Sequence, residues 1–229
     1  MVMDVKKDIE KIIKSILVII GFWYSSYLQY IPVILFNLDT KKITNSDLVL
    51  LSLFSSLVFA IILVIIYFND LKKEVKIYKD NLGNNIDVGI KHWMIGMLIM
   101  IVSNVLINLI FKTGGAQNEK VVQKMLKAFP LVMIFNAGVI APFTEEIVFR
   151  KSLKDIISNK WVFAFTSFLL FGGAHVIGNE ITFANLLYII PYGAFGFTFA
   201  LAYYETDTIY TSMVMHIIHN MVLLVVSIV

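Results

Sequence analysis

"LVLLSLFSSLVFAIILVIIYF", Leu48 to Phe68, runs for twenty-one residues without a charge, and its only hydroxyls are Ser52, Ser55, Ser56 and Tyr67. Coiled as a helix at about 1.5 Å per residue it reaches about 31 Å, the thickness of a bilayer's hydrocarbon core. Such a run reads as a spanning helix. The same pattern recurs at Ile16–Phe36, Trp93–Phe111, Leu126–Phe149, Trp161–Val176, Phe183–Tyr203 and Ile209–Val229. The expected fold is an all-α polytopic transmembrane bundle of about seven spanning helices, or eight, forming one integral membrane domain over 1–229. Pro130 and Pro142 interrupt the fourth run, and the fifth is short. The lysine-rich link after Phe68, "NDLKKEVKIYKDNLGNN", is expected to carry a short interfacial helix.

Composition agrees. Hydrophobic residues make up 59% of the chain and charged residues 15%, against about 25% charged in a soluble domain. With no cysteine, disulfides, thiolate metal sites and a cysteine nucleophile are excluded together. The net charge of +3 calls for no nucleic acid, because basic loops at a membrane surface account for it. The basic start and the apolar run behind it lack a small-residue cleavage site, so a retained first span is expected. Richness in lysine, asparagine and isoleucine points to an AT-rich bacterial source.

Basic residues also set an expected orientation in the cell membrane. With the N-terminus in the cytoplasm, the inner segments hold Lys6, Lys7, Lys11, Lys14, Lys72, Lys73, Lys76, Lys79, Lys91, Arg150, Lys151, Lys154 and Lys160. The outer loops hold Lys41, Lys42, Lys112, Lys120, Lys124 and Lys127. Thirteen against six favours N-terminus in and C-terminus out.

One strip breaks the apolar pattern. "APFTEEIVFRKS", Ala141 to Ser152, places two acids and an arginine behind an almost wholly apolar run. Residues four apart share a helix face, so Glu146 can pair with Arg150 while Glu145 points elsewhere and stays free to titrate. The plain structural reading is a helix start capped by Thr144, with both acids in its first turn. The functional reading takes an ionisable group in a membrane segment as part of a site.

Two later stretches favour the second reading. "FGGAH" puts His175 at the end of an apolar run, with Gly172 and Gly173 allowing another helix close. "HIIHN" puts His216, His219 and Asn220 on one face of the last run. A lone membrane histidine is often only an interhelical hydrogen-bond partner, but these polar groups on three apolar helices need partners, and the nearest are each other. A glutamate and a histidine can hold a water and take its proton. A histidine and an asparagine one turn apart offer donors to a developing oxyanion. That chemistry is direct water attack on an amide, with no serine or cysteine nucleophile.

These residues resemble a known family. "EEIVFR" fits E-E-x-x-x-R at Glu145, Glu146 and Arg150; "FGGAH" fits F-x-x-x-H at Phe171 and His175; "HIIHN" fits H-x-x-x-N at His216 and Asn220. Order, spacing and apolar setting resemble the CPBP (Abi) family, membrane proteases related to the type II CAAX prenyl endopeptidases and to bacteriocin-processing and immunity proteins. The resemblance covers a catalytic core at 129–222. It implies that Glu145, with His175, activates water; that His216 and Asn220 stabilise the oxyanion; and that Glu146, Arg150 and Phe171 support them. His219 falls outside the motif and is expected to be structural. The family has been described both as zinc-dependent and as metal-free. No metal is favoured here; the alternative is zinc held by Glu145, His175 and His216.

The expected function is an intramembrane endopeptidase opening toward the cytoplasm and processing a peptide precursor: a bacteriocin, a pheromone or a lipidated peptide. Its partners are that substrate and membrane lipids. Two other classes remain, a proton-coupled transporter and a non-catalytic immunity or regulatory membrane protein. One expectation concerns depth. His175 lies about 21 Å above Trp161 and His216 about 11 Å above Ile209, a mismatch of roughly 10 Å. A fifth helix that starts below the membrane surface, near Asn159, would remove it.

Overall fold

The computed structural model describes residues 5–178 and 180–227. All regular structure among the described residues is helical. Six helical stretches are long and apolar enough to span a bilayer, and the shorter Lys160–Val176 is a seventh apolar helix, close to the expected count. Ile228 and Val229, the end of the last expected run, lie outside the described residues.

The first span is α1 (Val5–Ser25), a 3₁₀ turn at Ser26–Gln29, and α2 (Tyr30–Leu35). Then come α3 (Asn45–Asp80) and α4 (Leu82–Phe111). Thr44 and Asp47 start α3 with a reciprocal capping box: the Thr44 N–H donates to the Asp47 carboxylate at 2.8 Å, and the Asp47 N–H donates to the Thr44 hydroxyl at 3.3 Å. No separate interfacial helix follows. "KKEVKIYKD" is made largely of residues that lose little by staying helical, so α3 and α4 both run on past the bilayer and meet at Asn81.

The fourth apolar run also differs from expectation. Its first residues belong to α5 (Gln117–Ala128), a separate amphipathic helix whose Leu126 packs with Val49, Met133 and Leu224. Pro130, which lacks an N–H to satisfy, then opens a new helix. That helix runs α6 (Pro130–Phe135), a π-helical segment Asn136–Ile140, α7 (Ala141–Glu146), a second π-helical segment Ile147–Lys151 and α8 (Ser152–Ile156). The chain stays helical through Pro142 because the π segment shifts the ladder by one residue. Thr144 therefore caps nothing; it lies within the helix, buried, and its hydroxyl donates to the Ala141 carbonyl at 2.9 Å. The remaining helices are α9 (Lys160–Val176), α10 (Phe183–Leu187), α11 (Ile189–Thr206) and α12 (Ile209–Val226).

Ion pairs collect at one end of the bundle. Lys14 meets Asp70 at 3.3 Å, Lys151 meets Glu74 at 3.4 Å and Asp155 at 3.0 Å, Lys160 meets Glu205 at 3.0 Å, and Lys154 meets Asp207 at 2.8 Å. From this lysine-rich end to the opposite one, α3 climbs about 34 Å from Asp70 to Asp47 and α4 about 28 Å from His92 to Phe111. The two levels bracket a bilayer.

Central to the bundle is α11, packed against α9, α4 and α12. Its approach to α9 is backbone to backbone. A Cβ on Gly172 would lie 2.6 Å from the Ile189 carbonyl oxygen, and one on Gly196 would lie 2.7 Å from the Ser167 carbonyl oxygen. Only glycine permits that contact, and small residues serve this purpose in membrane bundles. The contacts also set the register. Lys160 lies beside Glu205, so α9 starts level with the end of α11 rather than below it. The expected low start is absent, and the depth difference between His175 and His216 is crossed by side chains instead.

Candidate active site

Glu145 and Glu146 are neighbours in sequence with opposite surroundings. Glu146 is wholly buried and is held from two sides: Arg150 Nη1 lies 3.2 Å from its carboxylate, and His216 Nδ1–H donates to Oε1 at 2.8 Å. Glu145 retains 15% of its side-chain exposure, and its Oε2 sits 3.6 Å from the other ring nitrogen, His216 Nε2. The two acids thus bracket one imidazole. Glu146 fixes the ring and assigns its proton to Nδ1, leaving Nε2 toward Glu145.

Arg150 is fully buried too. It pairs with Glu146, donates from Nη2 to the Phe195 carbonyl at 3.0 Å, and stacks its guanidinium 4.4 Å from the centre of the Phe171 ring. A buried charge with a carboxylate, a carbonyl and an aromatic face around it is compensated, where a lone one would be costly. Phe171 in turn lies 4.6 Å from the His175 ring and 5.6 Å from the His216 ring, centre to centre. It is the wedge between the two histidines.

His175 occupies the penultimate position of α9. Its ring turns back along the helix, so that Nδ1–H donates to the Phe171 carbonyl at 2.9 Å, and it stacks on Tyr192 with centroids 4.6 Å apart. Glu145 lies near enough for its charge to act on His175.

Asn220 has a different neighbour from the one expected. Its Nδ2 donates to the Ala137 carbonyl at 2.8 Å. The cause lies in Pro142. In the π segment Ala141 N–H bonds Asn136 O, so the next rung would join residue 142 to Ala137 O. Proline has no proton to give, and Asn220 supplies the missing donor. One amide proton is so engaged; the other remains for the cleft. His219 packs its ring 4.1 Å from Phe195, away from the acids.

Sequence reasoning missed Tyr192 and the Ala137 carbonyl. Tyr192 gave no motif signal, and its contact depends on the α9–α11 register. The Ala137 carbonyl was readable in principle from Pro142, but only once the π geometry is known.

Glu145, His175 and His216 are the residues that would hold zinc. Glu145 Oε2 and His216 Nε2 are spaced as two ligands of one ion would be, and with His175 Nδ1–H held by the Phe171 carbonyl only Nε2 of that ring could serve. Among the described residues no three His, Asp or Glu side chains converge to hold an ion. Three protein ligands are what catalytic zinc uses. The described geometry brings two of the three together, and no step is routed through a metal.

The site also has a direction. Toward the lysine-rich end it rests on a fully buried layer that includes Phe149, Ser152, Phe163, Ser167 and Ser212. Away from that end lie the part-exposed Glu145 and the half-buried His175 and Asn220.

Residues 127–222 match the family described as type II CAAX prenyl endopeptidase Rce1-like. The protein named "Putative membrane peptidase YdiL" of Bacillus subtilis (strain 168) is 29% identical over 146 residues, 62% of this chain and 56% of the relative's length. No solved structure matches the chain. The matched segment contains Glu145, Glu146, Arg150, Phe171, His175, His216 and Asn220, so the part of the chain that resembles the Rce1-like type II CAAX prenyl endopeptidases is the part that carries the candidate site.

Proposed function

We propose that this protein is an intramembrane endopeptidase that cleaves a peptide bond by direct attack of water. The observation that carries the reading is the 3.6 Å gap between Glu145 Oε2 and an imidazole that Glu146 already holds. A general base must lie within reach of the proton it takes, and Glu145 is the one acid of the pair with access to the cleft. Glu145 accepts a proton from water as its oxygen bonds to the carbonyl carbon. The carbonyl electrons move onto oxygen, where the second Asn220 amide proton supplies a stabilising donor; His216, its Nδ1 proton held by Glu146, adds a donor there only when Nε2 is protonated as well. Glu145 then returns the proton to the departing nitrogen, and the C–N bond breaks. His175, on the far side of Glu145, orients the carboxylate and the water. The family match and the named relative favour a peptide substrate; a bacteriocin, pheromone or lipidated precursor each fits a cleft sunk in a membrane.

The test uses purified protein in detergent and in liposomes, with precursor peptides from the source genome read by mass spectrometry. Cleavage by the native chain, lost in Glu145→Gln and in His216→Ala proteins that still insert and fold, is the expected result. Undiminished cleavage by Glu145→Gln protein defeats the assignment.

A further inference from the structure

Resting on the proteolytic reading, we infer that the cleft takes its substrate from the extracytoplasmic side of the membrane, as an exported or outer-leaflet peptide segment. Two independent observations meet here. The first is the direction of the cleft. His175 is next to last in α9, about 22 Å above Lys160, and it stacks on Tyr192 near the start of α11. Both residues stand at the end of the bundle that carries α5 and the loop at 112–116. The way down is blocked: Glu146, Arg150, Ser152, Ser167 and Ser212 have no exposed surface between the acids and the lysine-rich end.

The second observation is charge. By helix direction, Lys6, Lys7, Lys11, Lys14, Lys72, Lys73, Lys76, Lys79, Lys91, Arg150, Lys151, Lys154 and Lys160 belong to the lysine-rich half. Lys41, Lys42, Lys112, Lys120, Lys124 and Lys127 belong to the half where the cleft opens. The connections at the lysine-rich end are also the short ones, at 81, 157–159 and 207–208, and short loops are where the positive-inside bias governs orientation. The more basic end faces the cytoplasm, so the open end faces out. A substrate made in the cytoplasm must then cross the membrane, or present an outer-leaflet segment, before it is cut.

The chain contains no cysteine, so single-cysteine labelling reads orientation directly. Lys124→Cys on α5 and Lys79→Cys near the end of α3 are each treated with a charged, impermeant maleimide in intact cells and after permeabilisation. Lys124→Cys should label in intact cells, and Lys79→Cys only once the membrane is opened. The opposite lysine pattern overturns the orientation. A second arm reads the opening with no substitution at all: native protein in right-side-out and inverted vesicles is offered the same precursor peptide outside. Cleavage in right-side-out vesicles alone is expected, and cleavage in inverted vesicles alone sinks the inference. Cleavage in neither, with the lysine labelling pattern as expected, counts against proteolysis and leaves the sidedness standing.

Discussion

Replacing Glu145 and Glu146 separately by glutamine should give opposite phenotypes. Each change keeps the side chain's size and removes one charge. Glu146 lies 3.2 Å from Arg150, with both side chains fully buried, and 2.8 Å from His216 Nδ1. At an effective dielectric of about 20, two unit charges at that ion-pair separation attract by about 5 kcal/mol. Removing one partner of a buried pair typically costs about 3–5 kcal/mol, because the other charge is left uncompensated. Glu146→Gln should therefore lower stability by about that much and release the His216 ring. Glu145 is part-exposed and only approaches His216 at 3.6 Å, so Glu145→Gln should change stability by less than about 1 kcal/mol while abolishing cleavage. Equilibrium unfolding in mixed micelles, beside a cleavage assay on the same preparations, reads both. The reasoning fails if Glu146→Gln unfolds like the native protein, or if Glu145→Gln is the less stable of the two.

Other substitutions test the supporting contacts. Asn220→Ala leaves the Ala137 carbonyl without its donor and should cost about 1–3 kcal/mol; in a Pro142→Ala background, where residue 142 regains an N–H, the cost should shrink. A double-mutant cycle showing no coupling between the two positions would contradict the account of that hydrogen bond. Gly196→Ala places a methyl group 2.7 Å from the Ser167 carbonyl oxygen. It should force α9 off α11, lower stability by about 1–3 kcal/mol and slow cleavage through the displaced His175; a native-like unfolding curve and rate would argue against the tight seam. Because among the described residues no third ligand converges with Glu145 and His216, chelator should leave cleavage unchanged, and loss of activity restored by zinc would show that the arrangement tightens around a metal.

Much of the scaffold could be read from runs of apolar residues, because a bilayer allows little but helices of a set length. What failed was where helices end. The lysine-rich link around Asn81 was expected to carry a separate short helix, yet charge at a membrane surface is compatible with longer spanning helices, and α3 and α4 extend into it and turn at Asn81. Thr144 looked like a cap because Pro142 precedes it, and the π segment was invisible to spacing rules. The candidate site was legible as faces: four-residue spacing put Glu146 with Arg150, and both pair as expected. Which atom of which partner each group meets was not. Asn220 bonds the Ala137 carbonyl, eighty-three residues away in sequence and left without its helical donor by Pro142, a contact no local pattern encodes.

The most direct test of the central claim is the source of the oxygen in the product. Native protein should cleave its peptide in ¹⁸O-labelled water with one label entering the new C-terminal carboxylate in a single turnover, no covalent peptidyl-protein detectable, and no product from Glu145→Gln protein. A trapped acyl-protein, or product from protein lacking the Glu145 carboxylate, would contradict the account.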